Sequence, residues 1–267
     1  MKIVRKITTA AITAALVIIA FPSAAQTKWE KLPFKLSPGV LAFYNDTTDG
    51  RLYIGGDFRE VEGKGANGLI WYDGRNWDTL LTPLIGFDIS AITRYKGELY
   101  VAGGYGLAKY DGNTWTILGD WVGNTFNFLE VIDDTLYVAG LFDSIAGIQA
   151  NGAARFDGTK WEDLTKSLPI QRYSDLWIFD ICKYKNQLYL AGNFDFPNGL
   201  EEVMRWDGTE WKDVGGGLKG GDSLNTIIAY QDEIYIGGWF YEEGGQNPGR
   251  FMQRWDGERW KSVGMGV

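Results

Sequence analysis

Arg205–Gly215 reads RWDGTEWKDVG, and Arg254–Gly264 reads RWDGERWKSVG. The second segment begins 49 residues after the first. A near-verbatim return at that distance marks an internal repeat, in which one supersecondary unit is stacked on copies of itself. The core of the segment occurs five times, as YDGRNW from Tyr72, YDGNTW from Tyr110, FDGTKW from Phe156, WDGTEW from Trp206 and WDGERW from Trp255. A second motif alternates with it: LYIGGDF from Leu52, LYVAGGY from Leu99, LYVAGLF from Leu136, LYLAGNF from Leu188 and IYIGGWF from Ile234. The Asp-Gly pairs lie 38, 46, 50 and 49 residues apart. Short apolar strands at periods of this size predict a propeller or another stacked array.

Each unit divides into four strands. Strand a is an apolar run such as NTIIAY, followed by a short polar turn (QDE, KGE or KNQ). Strand b is the LYvaG segment, whose Tyr and Val suit a pleated, half-buried surface. Strand c ends in an aromatic residue just before Asp-Gly. That pair turns the chain, because Gly accepts a positive φ and Asp bonds its own backbone. Strand d opens on Trp, and large aromatics fill the wedge between neighbouring blades. The expectation is an all-β propeller of four-stranded blades with five recognisable repeats. The count of blades stays open between five and six with one incomplete. TKWEKL at 27–32 reads as a free-standing strand d carrying Trp29, and the chain ends on another, RWKSVGMGV.

The apolar run, the Gly doublet, the following aromatic residue and the Trp resemble the kelch repeat, most closely in LYIGGDF…WYDGRNW and IYIGGWF…RWDGERW. The second Gly holds in all five copies (Gly56, Gly103, Gly140, Gly192, Gly238), whereas the doublet is clean in three. With GANGLIWYDG and QANGAARFDG, the chain is also similar to secreted bacterial propellers and to a fungal cell-polarity marker propeller. The resemblance spans essentially all of residues 26–267 and implies the fold. It implies no single function, since such propellers host many roles. The Asp-box of sialidases has a residue between Asp and Gly. Here the two are adjacent, and that comparison is set aside.

Residues 1–25 read differently. Lys2, Arg5 and Lys6 precede an apolar run from Ile7 to Phe21, and Ser23-Ala24-Ala25 ends it on small residues. This is the pattern of a secretory signal peptide cut near Ala25, too short for a membrane span. Residue 26 is Gln rather than Cys, which argues against a lipid anchor, and no later segment reaches spanning length. The chain carries a net charge of −8, and removal of three positive charges with the signal leaves −11. So acidic a surface disfavours nucleic acid and anionic membranes as partners. Cys182 is the only cysteine, so no intrachain disulfide forms, and its apolar surroundings predict a buried small hydrophobe. There is no histidine. Histidine triads, histidine metal sites and histidine acid–base chemistry are therefore excluded.

The repeated Trp and Asp residues answer to blade geometry, so function is sought in what does not repeat. The a–b and c–d turns are short and uniform. The b–c and d–a loops, at the other end of each blade, vary in length and sequence, as loops that carry function do. Of the 12 Trp, five open strand d, three (Trp71, Trp206, Trp255) close strand c, and Trp29 belongs to the stray strand. Trp121, Trp177 and Trp239 remain. The same accounting leaves Tyr173 and Tyr241. Aromatics in variable loops suit stacking on sugar rings or anchoring a protein, or they pack the loops down. The candidate ligand-binding residues are Trp121, Arg172, Tyr173, Trp177, Trp239 and Tyr241. No cofactor is expected. Loop carboxylates are plentiful, but none has the spacing of a calcium loop, so no metal is expected either. Asp180 is unusual inside an apolar strand a, where Arg94, Glu130 and Lys183 are the other ionisable residues.

The expected function is that of a secreted, non-catalytic propeller binding an extracellular protein or glycan through its b–c/d–a face. The alternatives are a carbohydrate-active enzyme on the same face, a glycosidase or lyase using Arg172, Tyr173 and Asp175 or Asp180, and a structural module of a longer surface protein.

Overall fold

The computed structural model describes residues 31–37, 39–83, 88–104, 106–119, 124–168, 176–194, 196, 202–216, 221–240 and 249–264. The segment read as a signal peptide and Trp29 of the expected N-terminal strand lie outside them. The chain divides after Phe34 into two compact units, and all the strands belong to the second, Lys35–Val267.

Among the described residues, 24 strands form five antiparallel four-stranded sheets and two small hairpins. Blade 1 holds β1 (Val40–Asp46) and β2 (Arg51–Gly56), then the hairpin of β3 (Glu60–Val61) and β4 (Lys64–Gly65), then β5 (Leu69–Tyr72) and β6 (Trp77–Thr79). Blade 2 runs through β7 (Ile89–Tyr95), β8 (Glu98–Gly103), β9 (Gly106–Tyr110) and β10 (Trp115–Gly119). Blade 3 has β11 (Thr125–Ile132), β12 (Thr135–Leu141), the hairpin of β13 (Ser144–Ile145) and β14 (Ile148–Gln149), β15 (Ala153–Phe156) and β16 (Trp161–Asp163). Blade 4 has β17 (Leu176–Tyr184), β18 (Gln187–Phe194), β19 (Val203–Trp206) and β20 (Trp211–Asp213). Blade 5 has β21 (Gly221–Tyr230), β22 (Glu233–Phe240), β23 (Met252–Trp255) and β24 (Trp260–Ser262). The a strands of consecutive blades lie against one another, β1 on β7, β7 on β11, β11 on β17 and β17 on β21, and are therefore innermost. This is a β-propeller.

The five Asp-Gly turns are built alike. In blade 4 the Asp207 N–H donates to the Glu210 carbonyl at 3.1 Å, while Asp207 Oδ1 accepts the N–H groups of Thr209 (2.8 Å) and Glu210 (3.0 Å). Asp73, Asp111, Asp157 and Asp256 make the same three bonds. The glycine after each Asp takes φ between 93° and 108°, a region that side chains disfavour. Each turn delivers the aromatic end of strand c opposite the Trp of strand d, and four of these pairs have ring centroids 4.9–5.3 Å apart.

Among the described residues, four apolar cores lie between successive blades. Tyr53 and Leu69 of blade 1 meet Ile89, Ile92 and Val101 of blade 2. Tyr100 and Leu107 meet Phe126, Leu129 and Phe142; Tyr137 and Ala153 meet Ile178, Ile181 and Leu190; Cys182, Tyr189 and Val203 meet Leu224, Ile227 and Ile236. Trp115, Trp161, Trp211 and Trp260 each join the core toward the preceding blade. The indole N–H of Trp211 donates to the Leu164 carbonyl at 2.7 Å, and that of Trp260 to the Val214 carbonyl at 2.9 Å. Cys182 is buried in the last of these cores, which pushes its thiol up to about 12 and leaves it unreactive at neutral pH.

Candidate binding site on the inner strands

Every a strand carries a β-bulge at the same place, and β21 has a second break between Gly221 and Ser223. The register breaks between Val40 and Ala42, Ile89 and Ala91, Phe126 and Phe128, Ile178 and Asp180, and Leu224 and Thr226. The residues squeezed out of the ladder are Leu41, Ser90, Asn127, Phe179 and Asn225. A bulge re-aims a side chain without ending the strand, and bulges gather beside functional sites. Here they put side chains of four kinds, Leu, Ser, Phe and two Asn, at one level of the innermost strands.

The second Gly of strand b sits opposite the break, paired with Val40, Ile89, Phe126, Ile178 or Leu224. A Cβ added to Gly103, Gly140 or Gly192 would collide with the carbonyl of Asp88, Thr125 or Trp177 respectively. The repeated glycine is therefore the space into which the start of strand a folds.

Trp177 uses two of the bulge residues. Its ring stacks on Phe179, with centroids 4.9 Å apart and planes at 26°. Its indole N–H reaches Asn127 Oδ1 of blade 3 at 3.5 Å. The indole is nonetheless exposed. Trp239 is exposed too, but it meets Phe251 edge-on at 6.0 Å on blade 5, and no described contact joins it to Trp177. Trp121, Arg172, Tyr173 and Tyr241 lie outside the described residues. Asn127 and Phe179 were not singled out from the sequence. Their signal is positional, the residue two places before Leu129 and Ile181 in strand a, and it emerges only once the bulge is known.

A cleft of about 690 Å³ lies on the b–c/d–a side of blade 3, lined by Gln149, Asn151, Glu162, Asp163, Thr165, Lys166 and Leu168. Its two carboxylates are already bonded: Glu162 accepts from Arg155 at 2.7 and 2.9 Å, and Asp163 Oδ1 accepts from the Thr165 backbone at 2.8 Å and hydroxyl at 2.7 Å. Leu168 shares an apolar cluster with Leu176 and Ile178, so the cleft and Trp177 flank one d–a connection.

The ionisable groups of the inner strands are mostly committed. Arg94 bonds Asp46 and reaches Asp49 at 3.2 Å, and Lys183 pairs with Asp133. Asp180 Oδ2 accepts the Thr226 hydroxyl and the Ile227 N–H, each at 2.8 Å, and Oδ1 accepts the Ile181 N–H at 2.8 Å. Burial nevertheless raises the Asp180 carboxyl above its ordinary value. Glu130 is raised as well, first by desolvation and then by the charge of Asp180. Among the described residues no three His, Cys, Asp or Glu side chains gather where they could hold a metal ion.

Comparison with solved structures gives the same architecture. The extracellular domain of the hybrid two-component system BT4673 from B. thetaiotaomicron matches with a TM-score of 0.56 and 16% identity, over 84% of this chain and 27% of that one. A second structure, described as the extracellular domain of the one-component system BT4673, matches with a TM-score of 0.52 and 18% identity, over 74% of this chain and 25% of that one. This chain thus spans about a quarter of the length of those neighbours, and at such identity the likeness is one of fold. No family model and no curated protein sequence matches the chain.

Proposed function

We propose that this chain is an extracellular propeller that binds a glycan or a protein without catalysis, through the end of the blades that carries the b–c and d–a loops. The observation that carries the reading is Trp177: an exposed indole, backed by Phe179 and oriented by Asn127 from the preceding blade. Packing alone does not need a large aromatic there. The equivalent residue of blade 5, Ser223, pairs opposite Trp239 as Trp177 pairs opposite Asn193. A rigid aromatic face stacks on sugar rings and equally anchors a protein partner. The exported location rests on the signal-like start at 1–25 and on the extracellular domains among the neighbours. The kelch-like repeat fits this reading, since its variable loops all open on one side.

The enzyme alternative draws less support, because the Asp180 carboxylate already accepts three hydrogen bonds, two from Thr226 and Ile227 of blade 5 and one from Ile181 of its own strand. The test is a glycan array and a pull-down of extracellular proteins, each run with the wild-type chain and Trp177→Ala. A hot-spot loss of about 2 kcal/mol, roughly 30-fold in affinity, is expected at an essentially unchanged melting temperature. Binding that survives the substitution, or a melting temperature that falls with it, would make Trp177 a packing residue and remove the site.

A further inference from the structure

Two sheet faces are exposed among the described residues where the equivalent faces of other blades are buried. Within the chain, each blade presents an outgoing face to the next blade and an incoming face to the one before. On the outgoing face of blade 4, Cys182, Tyr184 and Val203 are 8, 6 and 0% exposed. Their register equivalents on blade 5, Ile228, Tyr230 and Met252, are 59, 57 and 45% exposed. The incoming face of blade 1 shows the complement. Phe43 is 66% exposed, whereas Ile92, Leu129, Ile181 and Ile227, which hold the same register position in blades 2 to 5, are at most 9% exposed.

The outgoing face of blade 5 is also organised as the buried ones are. Tyr95 and Tyr184 each meet the Tyr of their own strand b edge-on, with centroids 6.3 and 6.0 Å apart and planes at 62° and 66°. Tyr230 meets Tyr235 in the same way, at 6.0 Å and 67°. The hydroxyls of Tyr95 and Tyr184 donate to the carbonyls of Asp134 and Asp232, in the a–b turn of the following blade. Tyr230 stands ready for such a turn, with exposed apolar neighbours beside it.

We propose that these two faces join two copies of this chain head to tail, blade 5 of one on blade 1 of the next. The contact continues an interface already made four times within each molecule: Tyr230 would reach the a–b turn Thr47–Gly50 of the second copy, while Ile228 and Met252 cover its Leu41 and Phe43. Because the two faces differ, the association is heterologous, and it extends into rings or chains rather than stopping at a symmetric dimer. Sedimentation velocity across a concentration series tests this. Wild type is expected to associate progressively, and Phe43→Glu and Tyr230→Glu, both at exposed positions, to stay monomeric. An equimolar mixture of the two variants keeps one intact pair of faces, and it is expected to form a 1:1 dimer and nothing larger. Ile228→Lys replaces Tyr230→Glu if circular dichroism shows the latter to be misfolded. A wild type that stays monomeric up to its solubility limit, single variants that still associate, or a mixture that does not pair would each overturn the proposal. A monomeric wild type would mean that another part of the same chain covers the faces.

Discussion

The aspartate of each Asp-Gly pair does its bonding as an anion, and this links five small turns to pH. Hydrogen bonds to the Glu210 and Thr209 N–H groups and the Thr209 hydroxyl hold Asp207 at about 2, against an ordinary value of 3.8. The Thr159 hydroxyl and the Lys160 and Thr159 N–H groups hold Asp157 at about 2, and Asp73, Asp111 and Asp256 are lowered as well. A carboxyl depressed by folding contributes stability that is complete above its unfolded pKa and is lost as pH falls through its folded one. The loss from the Asp157 and Asp207 turns therefore falls between about pH 4 and pH 2. Asp180 has the opposite sign: its raised value means that protonation relieves a burial penalty, so it does not add to acid unfolding. Asp207→Asn is expected to keep the turn, through an amide oxygen in place of the carboxylate, but to lower stability at pH 7 more than at pH 2. Melting temperatures of both proteins across that range check it. Curves that run parallel from pH 7 to pH 2 would show that the turn carboxylate contributes nothing through its charge.

At the scale of the element, the bulge and the glycine opposite it are one device. The carbonyl of Trp177 occupies the space that a Cβ on Gly192 would need, so the glycine permits the kink that brings Trp177 onto Phe179. Gly192→Ala is expected to cost about 1–3 kcal/mol, the usual range for forcing volume into a packed site. It should also weaken ligand binding by displacing the start of β17. Chemical denaturation checks the first effect and the Trp177 binding assay the second; a substitution neutral in both would separate the glycine from the site. Strand order, the Asp-Gly turns and the interblade Trp were all legible in the sequence, because five copies at fixed spacing expose any residue that geometry demands. The repeated glycine was legible as a position, but its reason was not. A bulge adds one residue to an apolar strand and leaves no compositional trace, so Asn127 and Phe179 passed for ordinary members of strand a. Trp239 shows a different limit of the sequence. Its place beside a variable loop says nothing of which sheet face it occupies, and it lies with Tyr235 on the exposed outgoing face of blade 5.

At the scale of the whole molecule, the described contacts form a line rather than a ring: four cores join five blades, and the first and last blades each own one. In such an array stability is close to a sum of blade terms and nearest-neighbour terms, and a blade with one neighbour opens more easily than a blade with two. Blade 3 has both neighbours, and its inner strand is held from each side, by the Tyr95 hydroxyl on Asp134 and by Lys183 on Asp133. Blade 5 has the Trp260 and Tyr184 bonds on its blade 4 side and an exposed face on the other. Native-state hydrogen exchange on dilute protein is therefore expected to give graded protection, greatest for the amides of β12, intermediate for β8 and β18, and least for β2 and β22. Raising the concentration should slow exchange at β1 and β21 before any other strand, because only those two inner strands lie on the faces proposed to join copies. Protection equal across all five b strands in dilute solution would mean that the blades open as one cooperative unit. The end faces would then be closed within the monomer, and neither the linear array nor the head-to-tail contact would stand.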